Sequence, residues 1–292
     1  MVKTNKISNL KRLNFNSKVI VIIYLIKSIF KIKPSLNEIS VYRYYNFLIN
    51  SDGYVMSETD MFYISEFNRE TSKIIKLRKF PSSDFQVYYQ IYECCEYLPV
   101  VNSYKEKFKN YKDIELNIID IGSNIGLTTL FFLEHFTNAN VIAIEPEIEN
   151  FKVLDFNLNS NYNKIKKIYG AIWYSVTSLK IVNDFRDKLD WSFRVEETED
   201  ANGIRATTIN QIITENDLKI IDILKIDIEG SEKQLFNPEL SNLDFLKITK
   251  CLAIEVHDEF ECREDIYKIL TKYNFEYKSF AQTTIAFNNS FK

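Results

Sequence analysis

Beyond residue 117 the chain settles into a rhythm in which short apolar runs, suited to buried strands, alternate with longer stretches suited to helices. The runs 117–121, 141–145, 165–169, 222–227 and 251–257 read as strands. Helices are expected over 125–136 and 149–158, from 232 onward, and over about 259–273. Two last runs, 275–280 and 283–288, lie too close together for a crossover and are expected to pair antiparallel. This order predicts an α/β fold with a mostly parallel sheet and helices on both faces. The ligand crevice of such a sheet lies at the carboxyl ends of its strands. Residues 175–208 interrupt the rhythm with a short strand at 180–183 and with Asp190, Trp191 and Arg194, candidates for the acceptor pocket.

The first strand leads into Ile119-Asp120-Ile121-Gly122-Ser123-Asn124-Ile125-Gly126. The chain must turn tightly at Gly122 and enter a helix near Gly126, where glycine admits both unusual dihedrals and a closely approaching ligand. The free N–H groups of a helix start favour an anionic group. A nicotinamide-binding turn reads G-x-G-x-x-G. Here Ser123, Asn124 and Ile125 separate two glycines, so the pyrophosphate approach lacks its glycine. Glu145 ends the second strand, where a carboxylate accepts hydrogen bonds from both ribose hydroxyls of a nucleoside cofactor. The candidate cofactor contacts in this part of the chain are Asp120, Gly122, Ser123, Asn124, Gly126, Glu145 and Pro146.

The run Leu224-Lys225-Ile226-Asp227-Ile228-Glu229-Gly230-Ser231-Glu232 narrows the choice. Together with I-D-I-G-S-N-I-G, I-A-I-E-P-E and A-I-E-V-H, in that order, it resembles the FkbM family of methyltransferases over roughly residues 117–288. The resemblance implies a class I methyltransferase (Rossmann-like) fold with a seven-stranded sheet. It also implies S-adenosylmethionine as methyl donor, and O-methylation of a hydroxyl on a sugar, glycan or related metabolite. It places Ala171 beside the adenine and adds Asp227 to the cofactor contacts. Residues 1–80 lie outside it and read as a basic, aromatic, helical extension preceding a domain over 81–292. A nicotinamide oxidoreductase and a non-catalytic binding module remain the competing readings.

An alcohol acceptor needs a base within hydrogen-bond reach. His257 suits by type, because imidazole titrates near neutrality, or it is a strand-end histidine bonded to a loop. Asp227 either orients the amino group of the methionine moiety or serves as base, and Glu229 is open to both roles or to capping the helix before Ser231. Lys225 on a central strand requires a partner. If the fourth and fifth strands align Lys225 with Glu255, those two side chains pair. Asp227, Glu229 and Glu232 could offer oxygens to magnesium. Glu232, however, already suits the dipole of its helix, and we assign no metal site.

Basic and acidic side chains nearly cancel, at 37 against 40, so no whole-chain field points to nucleic acid. The four cysteines lack C-x-x-C spacing and suit free thiols in a reducing cytoplasm. The first 33 residues are different, with eight Lys or Arg and no acid around an apolar run at 19–26. That run is too short to span a bilayer, which needs ~20 apolar residues. A helix packed on the main domain, a basic helix lying on a membrane surface, and a signal-anchor all fit it. The expected location is the cytoplasm, with peripheral membrane contact through residues 1–33 left open. The expected partner is a small-molecule or glycan acceptor.

Overall fold

The computed structural model describes residues 8–68, 72–159, 164–182, 194–200 and 202–292. It divides into two compact units, Met1–Cys95 and Glu96–Lys292. Residues 81–95 therefore fall in the first unit.

In the first unit Asn14 caps α1 (Phe15–Ile29) by accepting the Ser17 N–H at 3.1 Å. Ser35 and Glu38 form a reciprocal capping box at the start of α2 (Leu36–Asn50). The unit also holds a three-stranded antiparallel meander of β1 (Tyr54–Glu58), β2 (Phe62–Asn68) and β3 (Ser72–Arg78), followed by α3 (Asp84–Tyr88). The extension is thus helical only in part. The strands form because burial alternates strictly along β2, putting Tyr63, Ser65 and Phe67 on one face. That face meets stacked rings, with Tyr44 and Tyr63 centroids 4.2 Å apart and Tyr44 and Phe85 5.1 Å apart. α3 runs directly into one wider helical turn, Tyr89–Glu93.

The second unit opens with α4 (Leu98–Lys107) and then alternates β4 (Leu116–Ile121), α5 (Leu127–His135), β5 (Ala139–Glu145), α6 (Ile148–Leu158) and β6 (Ile165–Tyr169). The interrupting segment contributes β7 (Ala171–Ile172), β8 (Thr177–Val182), β9 (Arg194–Glu197) and β10 (Ile204–Thr207). The rhythm resumes with α7 (Ile209–Glu215), β11 (Ile221–Ile226), α8 (Glu232–Leu235), β12 (Thr249–Glu255), α9 (Arg263–Lys272), β13 (Phe275–Phe280) and β14 (Thr283–Asn288).

Seven strands form the main sheet in the order β13-β14-β12-β11-β4-β5-β6. β12, β11, β4, β5 and β6 pair in parallel, and β14 runs antiparallel to both β12 and β13. Burial follows position. Every residue of central β11 is buried, whereas edge strand β13 exposes its middle four. This is the class I methyltransferase fold expected above, with its antiparallel last pair. The segment over 175–208 joins β7 in a second, four-stranded sheet, β7-β10-β8-β9, around Ala171, Trp173, Leu179, Val195 and Ala206. Asp190, Trp191 and the side chain of Arg194 lie outside the described residues.

Candidate functional site

Parallel strands β4, β5, β11 and β12 end at one edge of the main sheet, and the loops leaving them carry most of the charged motifs. After β4 the chain reverses through Gly122 at φ 73°, Asn124 at φ 49° and Gly126 at φ 83°. A Cβ on Gly122 would stand 1.8 Å from the carbonyl oxygen of Asp227, and one on Gly126 would press Leu158 at 3.1 Å. Gly122 is thus required by contact as well as by dihedral, since the turn after β4 lies directly on the chain leaving β11. The Asp227 N–H completes the junction by donating to the Ile121 carbonyl at 3.2 Å.

Ser123 is 2% exposed and faces inward. Its hydroxyl donates to the Asp120 carbonyl at 2.7 Å and accepts the Ile144 N–H at 3.0 Å, tying β4 to β5. Asp120 is fully buried. Its carboxylate accepts the Thr129 hydroxyl at 2.6 Å and lies 3.3 Å from the Lys225 ammonium. These two side chains hold the turn from beneath.

Glu145 ends β5 and is 4% exposed. One carboxylate oxygen accepts the Asn124 N–H at 2.8 Å and the other accepts the Glu147 N–H at 2.9 Å. Burial raises its pKa to about 7, against the opposing effect of those two N–H donors. The oxygen bonded to Glu147 also takes the Asn150 amide, at a long 3.5 Å, so the oxygen bonded to Asn124 keeps the clearer acceptor capacity for a ribose hydroxyl. Pro146 follows, half-buried. Ala171 is buried in the small sheet, next to Gly170, whose N–H donates to the Glu145 carbonyl at 3.1 Å.

Lys225 does not pair with Glu255. The register sets Lys225 beside Ala253 of β12 and Asp120 of β4, leaving Glu255 two residues further along. The ammonium turns instead to Asp120, to Asp227 at 3.6 Å, and to the carbonyls of Gly122 at 2.7 Å and Ile121 at 3.2 Å. Two wholly buried opposite charges side by side offset each other's desolvation, which Glu255 in this register cannot do for Lys225.

Asp227, Glu229 and His257 are brought together as the motifs suggest. Glu229 has φ 51° and Gly230 φ 95°, a left-handed pair that swings the chain off β11. The ring of Phe260 fills the space a Gly230 side chain would need, 2.0 Å from its Cβ position. His257 is 1% exposed and held on both nitrogens, with Nδ1 3.0 Å from Glu232 and Nε2 3.3 Å from Glu229. Burial alone would lower its pKa. Hydrogen bonds with Glu229 and Glu232 and the charge of Asp227 outweigh burial and hold it at about 11, so the imidazole is charged at neutral pH. Glu232 is fully buried and serves this histidine as well as its own helix start.

Two further acids stand at the cluster: Glu255, which the sequence reading pairs with Lys225 instead, and Glu96, which it does not single out. Glu255 lies 3.8 Å from His257 Nε2, and burial with the nearby Asp227 raises its carboxyl to about 8. The alternation of 253, 255 and 257 on one face was the available signal. Burial and Asp227 also raise Glu96, which no motif marks. Ligand atoms of Asp227, Glu229 and His257 all lie within 4.8 Å of one another, close enough to share a divalent cation. Of these three side chains Asp227 is the most open, at 27% exposed against 17% for Glu229 and none for His257. His135 is remote from this chemistry, its Nδ1 lying 2.9 Å from the Phe131 carbonyl within its own helix.

The family described as "Methyltransferase FkbM domain" matches residues 120–277, more than half of the chain. No curated protein matches the sequence. Among solved structures, the N-terminal domain of human METTL16 aligns at TM-score 0.45 and 10% identity, over 87% of this chain and 82% of that one. Human methyltransferase-like protein 13, in complex with SAH, aligns at 0.40 and 13%, over 66% and 80%. A putative caffeoyl-CoA O-methyltransferase from Staphylococcus aureus aligns at 0.40 and 12%, over 70% and 91%. On the extent of the family match, the chain belongs to the FkbM methyltransferases.

Proposed function

We propose that this chain transfers a methyl group from S-adenosylmethionine to a hydroxyl of a sugar, glycan or related metabolite. The observation that carries the reading is the junction at Gly122. The turn suited to the cofactor packs on the Asp227 carbonyl, so the cofactor and the most open carboxylate of the cluster meet at one place. Glu145 would accept the two ribose hydroxyls, Gly122, Asn124 and Gly126 would give the close backbone approach, and Ala171 and Pro146 would border the base. Asp120 and Ser123 act beneath the turn by holding its shape.

When bound, the sulfonium supplies an activated methyl group, and displacement proceeds in line. The protein's share is alignment, exclusion of water and removal of the acceptor's proton. Asp227 is the group we assign to that proton, because it is the most open of the three and its charge is balanced by Lys225 at 3.6 Å. His257 has both nitrogens engaged by carboxylates and is enclosed, so it serves as the positive anchor that fixes Glu229 beside Asp227. The match to the FkbM methyltransferases over residues 120–277 supports this choice of cofactor.

Calorimetry with S-adenosylmethionine and with NADH tests the reading. Saturable binding of the first alone, lost in Glu145→Ala, is the expected outcome. NADH binding would return the chain to the oxidoreductases, and binding of neither would favour a scaffold. A second reading rests on the 4.8 Å cluster, in which a divalent cation would displace the proton of His257, bind it with Asp227 and Glu229, and lower the acceptor's pKa. Loss of transfer on chelation, restored by magnesium or manganese, would select it.

A further inference from the structure

The side of α1 that its own unit leaves uncovered is apolar. At 3.6 residues per turn, Phe15, Val19, Ile22, Ile23, Ile26 and Ile29 fall in one stripe about 120° wide. All six are exposed, Phe15 at 77% and Ile29 at 75%. Ser17 and Val21, on the opposite side, are buried. The stripe therefore points away from the core that holds the helix. Phe30 and Ile32 continue it past the helix end, at 71% and 54% exposed.

Cations bracket the stripe. Lys18 falls on one flank and Lys27 on the other, with Lys31 and Lys33 just beyond the end. The first acid in the chain is Glu38, and it binds Lys27 at 2.7 Å. This charge pattern decides what covers the stripe. A second copy would bring two acid-free basic segments together across a symmetric contact, a repulsive arrangement. Crossing a bilayer is not open to the helix either, because among the described residues no helix is long and apolar enough. An anionic lipid surface satisfies both features at once. The stripe enters the boundary between headgroups and acyl chains, and the flanking lysines extend along it to reach phosphates.

We propose that α1 lies in the plane of an anionic bilayer surface and docks the chain there through Phe15, Val19, Ile22, Ile23, Ile26 and Ile29. This stands apart from the methyl-transfer reading and does not depend on it.

Flotation of the full chain tests the proposal, using neutral phosphatidylcholine vesicles and vesicles that also contain phosphatidylglycerol. The chain is expected to float with the anionic vesicles, less so at high salt, and poorly with the neutral ones. Ile22→Ser with Ile26→Ser should abolish flotation. Both positions are solvent-exposed, so an unchanged circular dichroism melt should accompany the loss. Lys31→Gln and Lys33→Gln should each weaken binding about fivefold. Three results would overturn the proposal: no flotation of the parent chain with either vesicle, flotation unchanged by the Ile22/Ile26 substitutions, or a dimer in light scattering that those substitutions dissolve while vesicles capture nothing.

Discussion

Strand β11 carries a carboxylate near its start and another just past its end, and the two have opposite surroundings. Asp222 is 2% exposed and fully engaged. It accepts the Tyr104 hydroxyl at 2.7 Å, the Asn117 N–H at 2.8 Å and the Lys250 ammonium at 2.8 Å. Asp227 is 27% exposed, and its paired cation stands at 3.6 Å. The strand is the same and so is the side-chain chemistry. The difference is which end of the sheet each acid occupies. At the start of β11, α4 and the neighbouring strands close over Asp222 and engage both of its oxygens. At the end, loops diverge and leave Asp227 open among other acids. One carboxylate holds the fold and the other is available to a ligand.

This contrast can be broken by exchanging charge for amide at each end. Asp227→Asn should lower methyl transfer by roughly 10²- to 10⁴-fold, the range for losing a general base. Its melting temperature should barely move, because a partly exposed pair at that separation contributes little. Radiolabelled methyl transfer and thermal melts read the two quantities side by side. Asp222→Asn should do the reverse. It strands the Lys250 charge and should cost about 3 kcal/mol in denaturant unfolding, with cofactor affinity intact. An Asp222 variant that melts normally but fails to transfer methyl would end the division of labour between the two ends.

Glu145 sharpens the comparison, because it is buried like Asp222 yet shaped for a ligand like Asp227. Its pKa in the folded chain, about 7, lies above the ordinary 4.5. The native state therefore binds the proton more tightly than the unfolded chain. The stabilisation this brings is full below the ordinary value and is lost as pH rises through about 7. The loss should be on the order of 3 kcal/mol in the ligand-free chain. Comparing unfolding of the parent and Glu145→Gln across that window isolates the contribution. Equal pH dependence in both would show that Glu145 is not held against its own charge.

Much of the fold was legible before any coordinates. Apolar runs separated by helix-length stretches gave the strands of the main sheet to within a few residues, because local periodicity records burial directly. The turn at 120–126 was legible for a similar reason: a left-handed dihedral leaves its mark as a glycine. The meander in the first unit was harder to see. Its buried positions mix Tyr63, Ser65 and Lys73 with Phe67, Ile75 and Leu77, so polar side chains blur the apolar alternation. The partner of Lys225 was misjudged because the register of β11 against β12 and β4 has no local signature. His257 suits a base by type, and its enclosure between Glu229 and Glu232, the ground for our anchor proposal, came only from the fold.

The sequence by itself determined the class of fold, the family and the place of the glycine turn at 120–126, since each rests on residues close together in the chain. Tertiary structure decided how the charges are matched: Lys225 with Asp120, His257 with Glu232, Asp222 closed and Asp227 open. It also decided that the apolar stripe of α1 faces outward. Such matters depend on which distant segments meet and in what register, and electrostatic partnership is set by distance in space, which the order of residues does not record.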